Sequence, residues 1–523
     1  MTEVTRPSLI ASDVDGDSVV DVIVIGAGPV GENVADRVVQ GGLTATIVER
    51  ELVGGECSYW ACMPTKALLR DAAALRAARA LPAAGRAASG ILDPAAVFAR
   101  RDRFAEHWHD SDQVDWLRSA GITLVRGQGR ISGPRTVTVT DTADGTTTHL
   151  RARHAVVVAT GSSAHMPPIA GLADVTPWTN REAAATQKVP DRLAIIGGGV
   201  VGAEMATAFH ALGSHVSLIS HTRLLPRAEL FASEHVTEAL RSAGVALHLD
   251  ADAVEARRKD SGILEITLSD GSTVAADEVL VATGRVANTT DIGLDRIGLE
   301  AGRWMTVDHT LAVLDQNGQP IGDETGADPG AAWLFAAGDV NRRAPLTHHG
   351  KYQARALGDA IVARANGAEP GLDPWGRHAV TADERALAQV IFTEPEVATV
   401  GLTAQEAAAA GRDTRVVDYD LGKVAGAALH ADHYRGQARI VIDATRNTVI
   451  GFTAVGPDVA ELLHAATIAI AGEVPLDRLW HAVPAYPTIS EIWLRLLETD
   501  GRDHVTASVA LVTADSATDA AAA

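Results

Sequence analysis

Cys57 and Cys62 are the only cysteines in 523 residues, and five positions separate them. A bridge between them would close too short a loop to staple a fold. Thiolate zinc or iron-sulfur sites need more cysteine ligands, so no metal site is expected. What remains is a local redox pair, or two small buried hydrophobes. A regular helix sets positions five apart on different faces, so bridging them requires an irregular turn, which Gly54, Gly55 and Pro64 would accommodate. Two glycine runs offer a second chemistry. In Gly26-Ala27-Gly28-Pro29-Val30-Gly31, Gly26 permits a tight turn, Gly28 lets the backbone approach a pyrophosphate, and Gly31 lets helix and strand pack closely. Glu49, 18 residues after Gly31, stands where a carboxylate accepts ribose hydroxyl hydrogen bonds. The second run provides Gly197, Gly199 and Gly202. Ser220 and His221 stand where its acid would be, with Arg223 and Arg227 just beyond. Loss of that carboxylate beside cations favours a 2'-phosphate, hence NADPH, with NADH as the alternative.

The elements needed to position these groups are readable. Val22 to Ile25 is a β-branched run, followed by a helical pattern from Glu32 to Gln40 and a strand from Ala45 to Val48. Leu193 to Ile196, a helix reaching Leu212 and a strand from His215 to Ile219 repeat the unit, which suggests two dinucleotide-binding modules. Asp71 to Ser89 reads as a helix, Thr136 to Val139 and Ala155 to Val158 as strands, and Asp315 to Ala332 as a loop. Beyond Leu372, strands Gln389 to Phe392, Gln437 to Ile442 and Val449 to Val455, with helices Ala404 to Ala410 and Val459 to Ala471, indicate an α+β domain. Residues 1–20 read as a flexible extension and 499–523 as a disordered tail. No stretch reaches the roughly 18 to 20 uncharged apolar residues of a membrane span, and no secretory signal is evident. The net charge of -21 argues against nucleic-acid or anionic-membrane partners. A cytoplasmic protein is expected.

Gly54-Gly55-Glu56-Cys57-Ser58-Tyr59-Trp60-Ala61-Cys62-Met63-Pro64-Thr65-Lys66 resembles the active-site segment of the class I pyridine nucleotide-disulfide oxidoreductases, which include dihydrolipoamide dehydrogenase, glutathione reductase, mercuric reductase and soluble transhydrogenase. Ala159-Thr160-Gly161, Ala282-Thr283-Gly284-Arg285, Ala336-Ala337-Gly338-Asp339 and Phe392-Thr393-Glu394-Pro395-Glu396 extend the likeness over nearly the whole chain from Asp21 to Glu498. The resemblance implies an α/β fold with two Rossmann-like domains, one for FAD (21–162 and 284–371) and one for NAD(P) (163–283). It also implies a C-terminal α+β dimerisation domain (372–498) and a homodimer. Electrons would run from the nicotinamide through flavin to the disulfide and on to a small-molecule acceptor. By position Cys62 resembles the flavin-proximal thiol and Cys57 the interchange thiol. Lys66 matches the lysine near the reactive flavin nitrogen, Glu204 the glutamate paired with it, and Asp339 the aspartate that binds the FAD ribityl chain. Thr160 and Gly161 match a loop near the cofactor, as do Gly284 and Gly338 in their motifs.

The pattern breaks near the C-terminus. Disulfide reductases of the family carry a His-x-His-Pro-Thr-x-x-Glu run, whereas this chain reads Pro484-Ala485-Tyr486-Pro487-Thr488-Ile489-Ser490-Glu491. Tyr486 occupies the acid/base position and Glu491 the orienting one; His481 lies nearby. A free tyrosine has a pKa near ~10 against ~6.5 for histidine, so it is a poor base at neutral pH. The aromatic pair Tyr59-Trp60 in the cysteine spacer suits a flat acceptor or restricts access to Cys57; core packing explains it equally well. Without a third cysteine, mercury reduction is not expected. The leading expectation is an FAD-dependent NAD(P)H oxidoreductase of the disulfide-reductase type, using Cys57 and Cys62. A quinone or diaphorase-type reductase, with flavin reducing the acceptor directly, is the first alternative. A non-catalytic subunit of a dehydrogenase complex is the second.

Overall fold

A computed structural model of the chain describes residues 11–12, 18–322, 331–371 and 373–502. It forms two compact units, the first built from the chain up to Pro64, Ala99–His165 and Gly284–Asp383. Its main sheet places Thr123–Arg126, Ala45–Glu49, Ser18–Ile25 and Thr147–Val158 side by side and parallel. Leu334–Ala336 continues the parallel set, while Thr136–Thr140 and Gln128–Gly133 extend it antiparallel. Parallel strands are covered on both faces and therefore read as unbroken apolar runs. Ile23, Val24, Ile47, Val156, Val157 and Val158 are all buried in one core with Trp333 and Phe335. Trp333 is wholly buried, so Trp333→Ala is expected to cost about 3–5 kcal/mol of unfolding free energy, measurable by denaturant titration.

The second unit comprises Thr65–Phe98, Met166–Thr283 and the chain from Glu384. It contains a parallel sheet in the order Ala246–Leu249, His215–Ser220, Arg192–Ile196, Glu278–Val281, with the helix Val200–Ala211 following the strand Arg192–Ile196. It also contains a five-stranded antiparallel sheet in the order Ala388–Ile391, Glu396–Gly401, Thr448–Gly456, Gln437–Asp443, Thr414–Asp420. Thr65–Phe98, assigned from the sequence to the FAD domain, packs in this unit because Leu68, Leu69, Val97 and Phe98 share a core with Ala208 and Leu212.

Several boundaries differ from the sequence reading. The first long strand begins at Ser18, within the stretch read as an extension, and the last helix, Ile492–Asp500, enters the stretch read as a tail. The rest of both termini lies outside the described residues. The helix read over Asp71 to Ser89 is two helices, Cys62–Arg79 and Pro82–Ala87. Pro82 cannot donate a backbone hydrogen bond and suits the first turn of a new helix.

Candidate active site

The strand Ser18–Ile25 ends at Gly26, whose φ of +105° and tight approach to the Ala159 carbonyl leave no room for a side chain: a Cβ there would meet that oxygen at 2.5 Å. A Cβ on Gly31 would strike the Gly26 carbonyl oxygen, so helix Pro29–Gln40 lies directly against the turn. Gly28, between them, faces open space, as a backbone approached by a phosphate must. The second run repeats the arrangement: Gly197 and Gly202 are closed by the Ala282 and Gly197 carbonyls, and Gly199 is open.

Glu49 closes the strand Ala45–Glu49. Its Oε2 accepts the Ala27 N–H at 2.7 Å and its Oε1 the Glu51 N–H at 2.8 Å. Burial raises its pKa. With Gly26, Thr160, Gly129 and Asn288 it lines a cavity beside the first glycine run. The Thr160 hydroxyl is buried without a hydrogen-bond partner. A carboxylate and an orphaned hydroxyl on one cavity, next to the turn that carries the open Gly28, fit the dinucleotide expected there. Thr160 and Gly161 follow the strand Thr147–Val158, and Gly338 precedes Asp339. Asp339 accepts the Ser162 hydroxyl at 2.6 Å, and Ser162 in turn accepts Arg285 Nε at 2.6 Å. Arg285, beside Gly284, also lies 3.7 Å from Glu56. It therefore joins Ser162, Asp339 and Glu56 in one polar cluster.

The cysteine turn rests on the same cradle. Gly54 N–H donates to the Ala27 carbonyl at 2.7 Å, and a Cβ on Gly55 would lie 3.0 Å from Gly28 Cα. Cys57 belongs to the short helix Gly55–Tyr59; the helix breaks at Trp60, with φ of -136°, and Cys62 opens the next. The break lies between the cysteines, whereas Pro64 sits harmlessly in the first turn of the second helix. Both cysteines are half-buried thiols with no disulfide between them. The neighbouring Cys62 and burial push the Cys57 thiol up. Thr347, opening the helix Thr347–Ala365, lies with Oγ1 3.4 Å from Cys62 Sγ. Tyr59 is buried, its hydroxyl donating to the Val53 carbonyl at 2.9 Å and lying 2.8 Å from Gln113 Oε1. It packs the turn and presents no face to an acceptor.

In the second unit, Lys66 Nζ donates to Glu204 Oε2 at 2.8 Å, and Glu204 Oε1 accepts the Phe392 N–H at 2.9 Å. The ammonium lies 5.1 Å from the centre of the Phe392 ring. Glu204 is only 3% exposed. Truncating one partner of a charge pair this enclosed leaves the other uncompensated. On the flavin-side placement that the resemblance implies for Lys66, Glu204→Ala is expected to slow anaerobic reduction by the nicotinamide about tenfold or more in stopped flow, because Lys66 loses its fixed position.

Two groups of expected residues are not brought together. His221 Nδ1 lies 2.9 Å from Asp252 on an exposed edge, and Arg223 Nη2 donates to the Pro226 and Ala228 carbonyls at 2.9 Å each. Arg223 thus braces its own loop, with its Nη1 buried and unpaired. Tyr486 is 76% exposed, whereas Glu491 is buried and accepts from Arg495. Among the described residues, no hydrogen bond joins Tyr486 to Glu491. Thr347, Ser162, Arg285 and Asn288 are site residues that sequence reasoning did not assign; the adjacent histidines of Thr347-His348-His349 were the available signal for the first. Among the described residues, no group of three or more His, Cys, Asp and Glu side chains is placed to hold a metal ion, and no helix is long and apolar enough to cross a membrane.

Two nucleotide cradles and a flanking cysteine pair define a flavin-linked oxidoreductase, and comparison with known proteins gives the same class. Residues 20–354 match the pyridine nucleotide-disulphide oxidoreductase family, and residues 387–496 match its dimerisation domain. Dihydrolipoyl dehydrogenase of Haloferax volcanii is 30% identical over 91% of this chain and 95% of its own length. Mercuric reductase of Acidithiobacillus ferrooxidans is 29% identical over 94% of this chain and 85% of its own. The crystal structure of LpdA from Mycobacterium tuberculosis superposes with a TM-score of 0.75 at 26% identity, covering 92% of this chain and 99% of that one. The chain belongs to the pyridine nucleotide-disulphide oxidoreductase family. It is an FAD-dependent enzyme of the disulfide-reductase type that uses a pyridine nucleotide and carries a dimerisation domain.

Proposed function

We propose that this enzyme oxidises NADPH in preference to NADH and delivers the electrons through Cys57 and Cys62 to a small disulfide acceptor. The observation that carries the reading is the placement of Cys57 and Cys62 on either side of the helix break in the turn that packs against the first glycine cradle. FAD, when bound, supplies the two-electron relay between nicotinamide and sulfur. The first run, Glu49 and Thr160 would hold its nucleotide portion, Asp339 its ribityl chain, and Lys66, fixed by Glu204, would place positive charge near its reducible ring. Gly197, Gly199 and Gly202 would hold the nicotinamide cofactor. In the acceptor step, the Cys57 thiolate attacks the acceptor disulfide and expels one thiolate. Cys62 then attacks Cys57, releasing the second thiolate and restoring the Cys57–Cys62 bond. The reading includes a cytoplasmic homodimer in which residues 372–498 form the interface and Tyr486 and Glu491 serve the partner's site. The buried Glu491 Oε2, which has no hydrogen-bond partner, supports this assignment.

A panel of low-molecular-weight disulfides and quinones tests the acceptor class. A disulfide should outpace every quinone in kcat/KM; the reverse order would favour direct reduction from flavin. The exposed Tyr486 in place of a histidine is the observation that favours this second reading. Nucleotide preference has its own test. Asp252 puts a carboxylate beside His221, so Asp252→Asn is expected to raise the NADPH/NADH ratio of kcat/KM about threefold, in line with the ~0.2–1 kcal/mol of an exposed charge contact.

A further inference from the structure

The helix Thr347–Ala365 brings more than a hydroxyl to the cysteines. Lys351 follows Thr347 by four residues, so the helical period stacks it on the same face as the side chain that meets Cys62. Its charge acts on Cys57 and opposes the upward push from Cys62 and burial. The helix is also held tightly against Pro29–Gln40. A Cβ on Gly350 would meet Val30 Cγ2 at 2.5 Å, and Arg37 Nε pairs with Asp359 Oδ1 at 2.6 Å. Glu32 lies in the first turn of that second helix, with its Oε1 buried and lacking any hydrogen-bond partner. Lys351 and Glu49 are the charges that act on it, and Glu32 acts in turn on Tyr59. Burial raises Glu32 to about 7. Around Cys57 the remaining groups are Cys62, the Thr347 hydroxyl and the neighbouring Glu56, which faces Arg285.

We propose that Lys351 is the cation that holds the reduced Cys57/Cys62 pair in its thiolate form, and that Glu32 competes with the pair for that charge. The inference rests on the redox role assigned to the pair. The hydride equivalent of the nicotinamide, two electrons and one proton, breaks the S–S bond and leaves one thiol and one thiolate, the thiolate lying under Lys351. Re-oxidation passes the two electrons and that proton to the acceptor disulfide, which leaves as one thiol and one thiolate as the S–S bond re-forms. Lys351 is thus a positioning residue for the thiolate. Glu32, neutral below about pH 7 and anionic above it, weakens the hold of Lys351 as pH rises.

The test is the pH dependence of Cys57 alkylation by iodoacetamide in the phosphine-reduced holoenzyme, followed by peptide mass spectrometry. All variants are checked for FAD content and melting temperature. Lys351→Met should move the alkylation midpoint up by about one pH unit, some tenfold slower near neutrality, while Lys351→Arg restores it. Glu32→Gln should move it down. These opposed shifts are not expected from a loss of packing, and Glu32→Gln tests the charge relation even if Lys351→Met folds poorly. Unchanged midpoints in both, or an upward shift in Glu32→Gln, would overturn the inference. Free-thiol counts of oxidised and reduced holoenzyme separate this from the parent reading. A difference of two thiols with no midpoint shift removes Lys351 alone; opposed shifts without that difference remove the redox role alone.

Discussion

Cys57→Ser should abolish turnover with any disulfide acceptor, by about three orders of magnitude or more, while leaving anaerobic reduction by NADPH within a few-fold of wild type. Serine retains the size and hydrogen-bonding capacity of the residue, and the Gly55–Tyr59 helix does not depend on sulfur. What is lost is the nucleophile. Cys62 remains, held near the Thr347 hydroxyl, but no longer has a partner with which to form an intramolecular bond. The measurement is acceptor-dependent NADPH oxidation beside stopped-flow reduction of the same preparation. Survival of disulfide turnover would show that Cys57 does not carry the acceptor step.

The second large effect concerns the cradles. Gly31→Val should yield a colourless protein, read as loss of the flavin absorbance near 450 nm, because any Cβ at that position collides with the Gly26 carbonyl and must push the helix Pro29–Gln40 off the turn. Gly202→Val imposes the same collision on the second cradle, against the Gly197 carbonyl. It should retain the flavin colour and lose nicotinamide binding, seen as a KM for NADPH raised by about two orders of magnitude or more. The two substitutions thus assign one cofactor to each cradle. Exchanged outcomes would reverse the assignment.

Both cradles were legible because backbone sterics leave the chain few alternatives: a strand that must turn under its own neighbouring carbonyl demands glycine. The parallel strands were legible as well, since Val22–Ile25 and Leu193–Ile196 are buried on both faces. Strands such as Thr414–Asp420 were not read. Thr-Arg-Val-Val-Asp-Tyr-Asp alternates around one solvent-facing side and has too few apolar residues to stand out. The helix after Cys62 was read on to Ser89 because alanine-rich sequence continues through the break before Pro82, hiding its end. Lys66 and Glu204 could be paired only through family resemblance, 138 positions apart. Thr347 is 285 positions from Cys62, and no local pattern announces such a contact. Arg285 was assigned no role for the same reason: its contacts with Ser162 and, through it, Asp339 are made only by tertiary packing.

The central claim is that Cys57 and Cys62 form a redox-active pair that accepts electrons from a pyridine nucleotide. Anaerobic titration of the purified holoenzyme with NADPH, followed by absorbance, tests it most directly. A long-wavelength thiolate band that grows to a maximum at two electrons per subunit, with two free thiols appearing in parallel, is the expected result. Bleaching of the flavin at two electrons with no such band and no new thiols, for both NADPH and NADH, would contradict it.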